Sequence, residues 1–332
     1  MIISKTPFRI SLFGGGTDYP NWYRENGGSV LATAIDKYCY ISCRHLPPFF
    51  EHKHRIVYSK VENVKEIKEI QHPSVRAVLS TLETNAGLEI HHNGDLPARS
   101  GIGSSSSFTV GLINVINALK GQQISKEDLA KQAIYIEQKV LKESVGSQDQ
   151  ILASFGGFNR INFYPDDTFS ITPVIISKSL TDQLQSHMLL FFTGVSRFSS
   201  DIAKDKIANF KNRFQELTQI KQMVDEGLSI LQSPSTPIAE LGKLLHESWQ
   251  LKRSLSNKVS TPEIDTIYQT GLAAGAIGGK ILGAGGGGFI LFFAKPENHK
   301  NIRKKLKGLV QVSFCFDNTG SKIVLYEPNG FK

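Results

Sequence analysis

The sequence predicts a two-domain α+β protein, on three observations. The chain has 332 residues, enough for one large or two medium domains. Its first half mixes β-rich runs with helical patterns, and its second half clusters helices ahead of a few strands. Hydrophobic residues make up 40% and charged residues 20%, a balance that suits a globular chain with a sizeable core. The change of character falls near residues 165–180, and the division is drawn as 1–170 and 171–332. No internal repeat is visible.

The elements follow in order. Ile2–Leu12, Ser29–Ala34, Tyr38–Arg44, Arg55–Ser59 and Gly87–His92 are rich in β-branched or aromatic residues and are predicted as strands. Helices are predicted over Pro73–Thr84, Ser104–Leu119 and Ser125–Leu141, where Ser125 supplies an N-cap and Asp128 an acid in the first turn. Strands at Gly157–Tyr164 and Phe169–Ile176 flank the turn signal Pro165–Asp166–Asp167. A strand at Met188–Phe192 then leads into one long helix from Ser200 to Leu231, ended by the run Ser233–Pro234–Ser235–Thr236–Pro237. Helices at Ile238–Arg253 and Pro262–Ala274 come next. Strands at Lys280–Leu282, Phe289–Ala294, Val310–Phe314 and Lys322–Tyr326 close the chain, with a helix at Glu297–Leu306 among them.

Charge and cysteine usage exclude several classes. The net charge of +8 favours anionic ligands such as nucleotides or sugar phosphates. It is spread along the chain, which speaks against nucleic acid. The densest group, Lys300, Arg303, Lys304, Lys305 and Lys307, reads as the solvated face of one late helix. Cys39, Cys43 and Cys315 cannot form a disulfide framework, and with only His45 nearby they make no zinc set. Residues 1–13 alternate like a strand, and no apolar run reaches membrane-spanning length, so a cytoplasmic protein without a membrane partner is expected.

The strongest local signal is Leu96–Pro97–Ala98–Arg99–Ser100–Gly101–Ile102–Gly103–Ser104–Ser105–Ser106–Ser107–Phe108. Gly101 and Gly103 let the backbone approach a ligand, and the helix beginning at Ser104 offers unpaired N–H groups to an anion. A flexible linker is the competing reading, but Phe108, Leu112, Val115, Ile116 and Leu119 follow at helical spacing. No GxxxxGK[ST] sequence occurs, so this is not a P-loop.

Two carboxylates follow. On a helix, Leu129, Ala130, Ala133, Ile134, Ile136, Val140 and Leu141 fill one apolar arc, and Glu137 falls near its middle. A buried carboxylate must be paired, as with a buried arginine, hydrogen-bonded, or bound to a metal such as magnesium. Asp149 follows the small-residue turn Val145–Gly146–Ser147, placed to project into a cleft or to cap the segment starting at Gln150. Two further glycine loops stand elsewhere. Gly14–Gly15–Gly16 ends the first strand and runs into Thr17–Asp18–Tyr19, and Gly283–Ala284–Gly285–Gly286–Gly287–Gly288 lies between two strand patterns. Each offers close backbone approach to a ligand.

Together these segments resemble the GHMP kinases, the family of galactokinase, homoserine kinase, mevalonate kinase and phosphomevalonate kinase. Three motifs appear in the family order: Pro7-x-Arg9 through Gly14 to Thr17–Asp18–Tyr19, Pro97 through Gly101–Ile102–Gly103–Ser104–Ser105, and Lys280 through Gly288. They anchor almost the whole chain. The resemblance implies an N-terminal domain like ribosomal protein S5 domain 2 and a ferredoxin-like C-terminal domain, with ATP between them. It implies that Gly101, Ile102, Gly103, Ser104, Ser105 and Ser106 wrap the ATP phosphates and that Ser105 and Glu137 hold magnesium. Asp149 matches the catalytic aspartate, and Arg9 matches the arginine beside it in sugar kinases. Gly14, Gly15, Gly16, Thr17, Asp18, Tyr19, Gly285, Gly286 and Gly287 would line the acceptor side.

The departures narrow the acceptor. Galactokinase-like enzymes carry Gly-Glu-His-Thr-Asp where this chain reads Gly14–Gly15–Gly16–Thr17–Asp18, so a hydroxyl partner is missing and galactose is not expected. The Phe-Gly-Gly-Gly-Thr-Asp-Tyr-Pro form, with Leu46–Pro47–Pro48–Phe49–Phe50–Glu51 and Arg55–Ile56–Val57–Tyr58–Ser59, looks like the D-glycero-D-manno-heptose 7-phosphate kinases and the related fucokinase domains. The resemblance implies transfer to the anomeric hydroxyl, giving a 1,7-bisphosphate for GDP-heptose and surface polysaccharide synthesis. A phosphorylated acceptor needs a second cationic pocket, for which Arg197 is the first candidate, ahead of Lys53 and Arg55. L-Fucose is the alternative acceptor, and a non-catalytic nucleotide or sugar binder is the alternative of another class. A monomer or homodimer is expected.

Overall fold

A computed structural model describes residues 1–84, 86–194 and 199–328. Its first half is built around β1 (Ile2–Phe13), α1 (Pro20–Asn26) and β2 (Gly28–His45). Next come β3 (His54–Val57), β4 (Val61–Val64), α2 (Pro73–Thr81), β5 (Leu88–Gly94), α3 (Ser104–Leu119) and α4 (Lys126–Tyr135). A π-helical turn at Ile136–Val140, then α5 (Gln148–Phe155), β6 (Phe158–Phe163) and β7 (Phe169–Pro173), complete it. The second half runs α6 (Lys178–Ser186), β8 (Met188–Phe192), α7 (Ser199–Asn209), α8 (Phe214–Gln232), α9 (Ala239–Ser254) and α10 (Pro262–Ala273). It ends with β9 (Ala276–Ile281), β10 (Phe289–Ala294), α11 (His299–Lys305), β11 (Val310–Val312) and β12 (Lys322–Tyr326).

The first sheet has the order β12-β1-β2-β5-β3-β4, with β6 on β2 and β7 on β6. Its organiser is β2, which the sequence read as two strands, Ser29–Ala34 and Tyr38–Arg44. One 18-residue strand pairs with β1 along one edge and divides its other edge between β6 (Gly28–Thr33) and β5 (Cys39–His45). The expected cut at 170/171 falls inside β7, and β12 returns to pair with β1. A single cut therefore does not separate the two sheets, because the last strand completes the edge that the first strand opens. The second sheet, β11-β8-β10-β9, is antiparallel throughout, with α9 and α10 packed on β9.

The register of β1 shifts between Pro7 and Phe8. Proline cannot donate to a ladder and is tolerated at such bulges, which re-aim the residues that follow. Beyond the bulge the Arg9 N–H donates to the Ile102 carbonyl (3.1 Å), and the Ser107 hydroxyl donates to the Pro7 carbonyl (2.8 Å). The start of α3 is thus fastened to the strand carrying Arg9. Deeper in α3, Leu112, Ile113, Val115 and Ile116 are fully buried, each worth roughly 1.5–3 kcal/mol of apolar burial.

Two glycine loops from opposite halves lie backbone to backbone. A Cβ at Gly288, whose φ is +87°, would stand 2.1 Å from the Ser100 carbonyl oxygen. The Phe289 N–H donates to that same carbonyl at 3.0 Å. Gly288→Ala combines a left-handed backbone with a direct clash, so we expect it to lower stability by about 3 kcal/mol. Urea unfolding measures this, and an unchanged midpoint would show that the loops do not need this close approach.

Candidate active site

Arg9 and Asp149 form a two-pronged ion pair at the centre of the site. Nε donates to Oδ1 at 2.6 Å and Nη2 to Oδ2 at 2.7 Å, and Arg9 is 4% exposed. The third arm, Nη1, donates to the Gly101 carbonyl at 2.7 Å. One guanidinium therefore holds the carboxylate and the glycine–serine loop together. Gly103 sits at the N-cap of α3 in the left-handed region, and a Cβ there would lie 3.3 Å from Asp149 Oδ2. Asp149 lies in the first turn of α5 and is not the cap of a helix starting at Gln150.

The loop residues divide by role. Ser104 Oγ accepts from the Arg99 N–H (3.1 Å) and fastens the turn. Ile102 is fully buried, so only its backbone is available to a ligand. Ser105 is exposed in the first turn of α3, and Ser106 points inward and donates to Glu137 Oε2 at 2.8 Å. The serine that meets the carboxylate is therefore Ser106 and not Ser105, because one helical step of 100° turns Ser105 to the surface.

Glu137 is 1% exposed, and its partners are hydroxyl and amide groups where an arginine was the alternative. Oε2 accepts from Ser106 and from Gln150 Nε2 at 2.5 Å, while Oε1 has no hydrogen-bond partner among the described residues. Burial lifts its pKa from 4.5 to about 7, and the charge of Glu143 adds to that. Thr109, Ser106 and Gln150 oppose the shift, although the hydrogen bond of Thr109 itself runs to the Ser105 carbonyl (3.3 Å). The residue stands in the π-helical turn that follows α4. Its widened turn replaces the 100° step assumed from the sequence, burying Glu137 while Val140 comes out to 40% exposure. An unpaired buried carboxylate oxygen beside the Ser106 hydroxyl fits a hard divalent cation, which takes oxygen ligands.

The first glycine loop positions Asp18. This residue is 1% exposed and accepts from the Gly16 N–H and from Gln148 Nε2, both at 2.9 Å. Its carbonyl accepts from the Ser147 N–H at 2.9 Å, so Asp18 also anchors the turn that delivers Asp149. A Cβ at Gly146 would meet Asp18 Oδ2 at 1.9 Å, which explains the glycine. Burial raises the Asp18 pKa, and the Asp149 charge adds to it. Gly15 faces Gln148, with an ideal Cβ 3.9 Å from its Nε2. Gly14 packs against the Ser29 backbone, and Thr17 donates to the Gly14 and Ser29 carbonyls, so both shape the loop from behind. Tyr19 is buried edge-on against Phe210. Gly285, Gly286 and Gly287 all have positive φ, and the Gly286 N–H is tied to the Val259 carbonyl (2.9 Å). Arg197 lies outside the described residues. Arg55 pairs with Glu89 (3.6 Å) beside Arg44 and His91, and no described contact brings it to Asp18.

The sequence reading missed the cations of the second half. Lys252 Nζ donates to the Ile281 (2.7 Å) and Gly283 (2.6 Å) carbonyls, and Lys280 Nζ donates to the Leu12 carbonyl (2.7 Å). Lys206, on α7, lies 5.3 Å from the Tyr19 ring centroid. All three are buried. Burial lowers their pKa values, to about 8 for Lys206 and about 7 for Lys280, and carries Lys252 well below its ordinary range. Their mutual repulsion and Arg9 deepen the shift at Lys252 and Lys280, whereas Asp18 opposes it at Lys206. The only forewarning in the sequence was Lys280, at the head of the third motif. Lys206 and Lys252 sit in ordinary amphipathic helices where lysine is unremarkable.

The family model described as GHMP kinases N terminal domain matches residues 69–157, and the one described as GHMP kinases C terminal matches residues 233–310. A D-glycero-alpha-D-manno-heptose 7-phosphate kinase of Campylobacter jejuni is 29% identical over 97% of this chain and 98% of its own length. An L-fucokinase/L-fucose-1-P guanylyltransferase of Bacteroides fragilis is 25% identical over 92% of this chain, which spans 36% of that longer protein. Among solved structures, a D-glycero-D-manno-heptose 1-phosphate kinase from Bacteroides thetaiotaomicron superposes with a TM-score of 0.79 at 22% identity, covering 97% of this chain and 98% of that one. At that identity the superposition establishes the shared fold alone.

Proposed function

The chain belongs to the GHMP kinases and is a phosphotransferase with an alcohol group as acceptor; within that family, we propose that it transfers the γ-phosphoryl group of ATP to the anomeric hydroxyl of D-glycero-D-manno-heptose 7-phosphate. The observation that carries this reading is the guanidinium of Arg9, which joins Asp149 to the Gly101 carbonyl and so fixes a base at the mouth of the phosphate loop. The resemblance to the Campylobacter heptose 7-phosphate kinase along its whole length supports the acceptor.

The residues divide the work of phosphoryl transfer, which is mostly positioning and charge stabilisation. The N–H groups at the start of α3 and the loop Gly101–Ser106 receive the triphosphate. Asp149 accepts the proton of the anomeric hydroxyl as its oxygen bonds to the γ-phosphorus and the bond to the ADP oxygen breaks. Arg9 holds both carboxylate oxygens in place while leaving each a lone pair for the acceptor. Asp18, Gln148 and Gly146 position the turn that carries Asp149. Glu137 and Ser106, with Ser105 beside them, would hold a magnesium ion, which supplies charge neutralisation to the triphosphate when bound. Lys252, whose partner Gly283 packs on Gly101, places an amine on the donor side, where an anionic triphosphate would favour its charged form.

An acceptor panel tests the reading. With heptose 7-phosphate, L-fucose and mannose compared by ADP release, heptose 7-phosphate is expected to give a kcat/KM at least about 100-fold above the others. A preference for fucose or mannose would overturn the acceptor, and tight ATP binding without ADP formation across the panel would return the chain to a binding role.

A further inference from the structure

The three buried lysines of the second half are not equivalent. Lys252 and Lys280 spend donors on backbone carbonyls. Lys206 is 3% exposed and makes no hydrogen bond among the described residues. An ammonium carries three donors, and no described side chain or backbone group takes up any of those of Lys206. The acidic group that acts on it is Asp18, whose carboxylate already accepts from Gly16 and Gln148. Around Asp18 and Asp149 are gathered four buried basic side chains (Arg9, Lys206, Lys252 and Lys280), an excess that an incoming anion would hold in the charged form.

The anions of the reaction sit at different ends. Lys252 touches Gly283, which packs against Gly101 in the phosphate loop, and so belongs to the triphosphate end. Lys206 stands over the Tyr19 ring beside Asp18, in the loop at the acceptor end. We propose that Lys206 is the seat of the phosphate that the acceptor sugar brings with it, and that it selects a phosphorylated acceptor over the plain sugar. This rests on the sugar-kinase reading above and adds the residue that recognises the phosphate. It also moves that role from Arg197 to a side chain within the described site.

Lys206→Met and Lys206→Arg test it in the full-length protein. Methionine keeps the apolar stem and removes only the charge, so packing in α7 is retained. Calorimetric titration with heptose 7-phosphate, without ATP, should show about 30-fold weaker binding in Lys206→Met, the scale of one charged hydrogen bond. In Lys206→Arg most of the affinity should return. The ratio of kcat/KM for heptose 7-phosphate over unphosphorylated heptose should fall by the same factor in Lys206→Met. A loss that leaves this ratio unchanged would mean that Lys206 only pairs with Asp18 to hold α7, and would overturn the proposal. Wild-type protein that binds the sugar phosphate through Lys206 yet forms no ADP would instead overturn the kinase reading and leave the seat standing.

Discussion

Asp149→Asn is expected to lower kcat by about 1,000-fold while leaving ATP affinity within a few-fold, the range of a lost general base. Asparagine keeps the size of the side chain but replaces one oxygen with an NH2 group. That group would face either Arg9 Nε or Arg9 Nη2, both of which are donors. The variant therefore loses the proton acceptor and half of the fork that aims it. Arg9→Met separates the two effects, because the carboxylate survives there without its clamp. Its loss should be smaller and should appear in KM as well as kcat, since the Gly101 contact goes with it. Steady-state rates with a separate ATP titration read both. Undiminished turnover in Asp149→Asn would remove this residue from the role of base.

Glu137→Gln should do two opposite things. Turnover should fall by at least about 100-fold, with a higher magnesium requirement, because a charged ligand becomes neutral. Metal-free protein should nevertheless become more stable at alkaline pH. Burial lifts this carboxyl from 4.5 to about 7, so the folded state keeps a proton that the unfolded chain releases. Below pH 4.5 both states are protonated and the group adds no cost. As pH rises through 7 the cost of a buried charge reaches its full value, about 3 kcal/mol from the difference in pKa. At pH 8 in EDTA the variant should therefore exceed the wild type by up to that amount, with the gain shrinking towards pH 5. Chemical denaturation at the two pH values measures it. A variant less stable than the wild type at pH 8 would mean that Ser106 and Gln150 already satisfy the charge.

Much of the fold was legible because pattern and packing agree. The helix Ser104–Leu119 and the strands Met188–Phe192, Phe289–Ala294 and Lys322–Tyr326 appear with the bounds that periodicity indicated. The long helix expected from Ser200 to Leu231 is interrupted at Phe210–Arg213, where a 3-10 turn packs Phe210 against Tyr19 and Trp22. Such a break is set by a tertiary contact that no local pattern reports. Helix α1 has no counterpart among the predicted elements, because at seven residues it is too short for periodicity to register. The partner of β12 was equally hidden, since pairing across more than three hundred residues leaves no local trace.

The site shows the same division. Glycines and lone carboxylates stand out against an apolar pattern, so the glycine–serine loop, Glu137 and Asp149 could be singled out from their neighbours. Which serine meets Glu137 depends on the rotation of α3 against a π-helical turn, and Ser105 and Ser106 cannot be separated without it. Lys206 and Lys252 become notable only when α7 and α9 turn them inward against Asp18 and Gly283.

Phosphorus NMR of the product tests phosphoryl transfer to a phosphorylated sugar most directly. Incubation of the wild-type protein with ATP, magnesium and heptose 7-phosphate should yield ADP and a sugar carrying two phosphates, the new one coupled to the anomeric proton. A new phosphate on any other carbon, or ADP formed with inorganic phosphate and no change in the sugar, would contradict it.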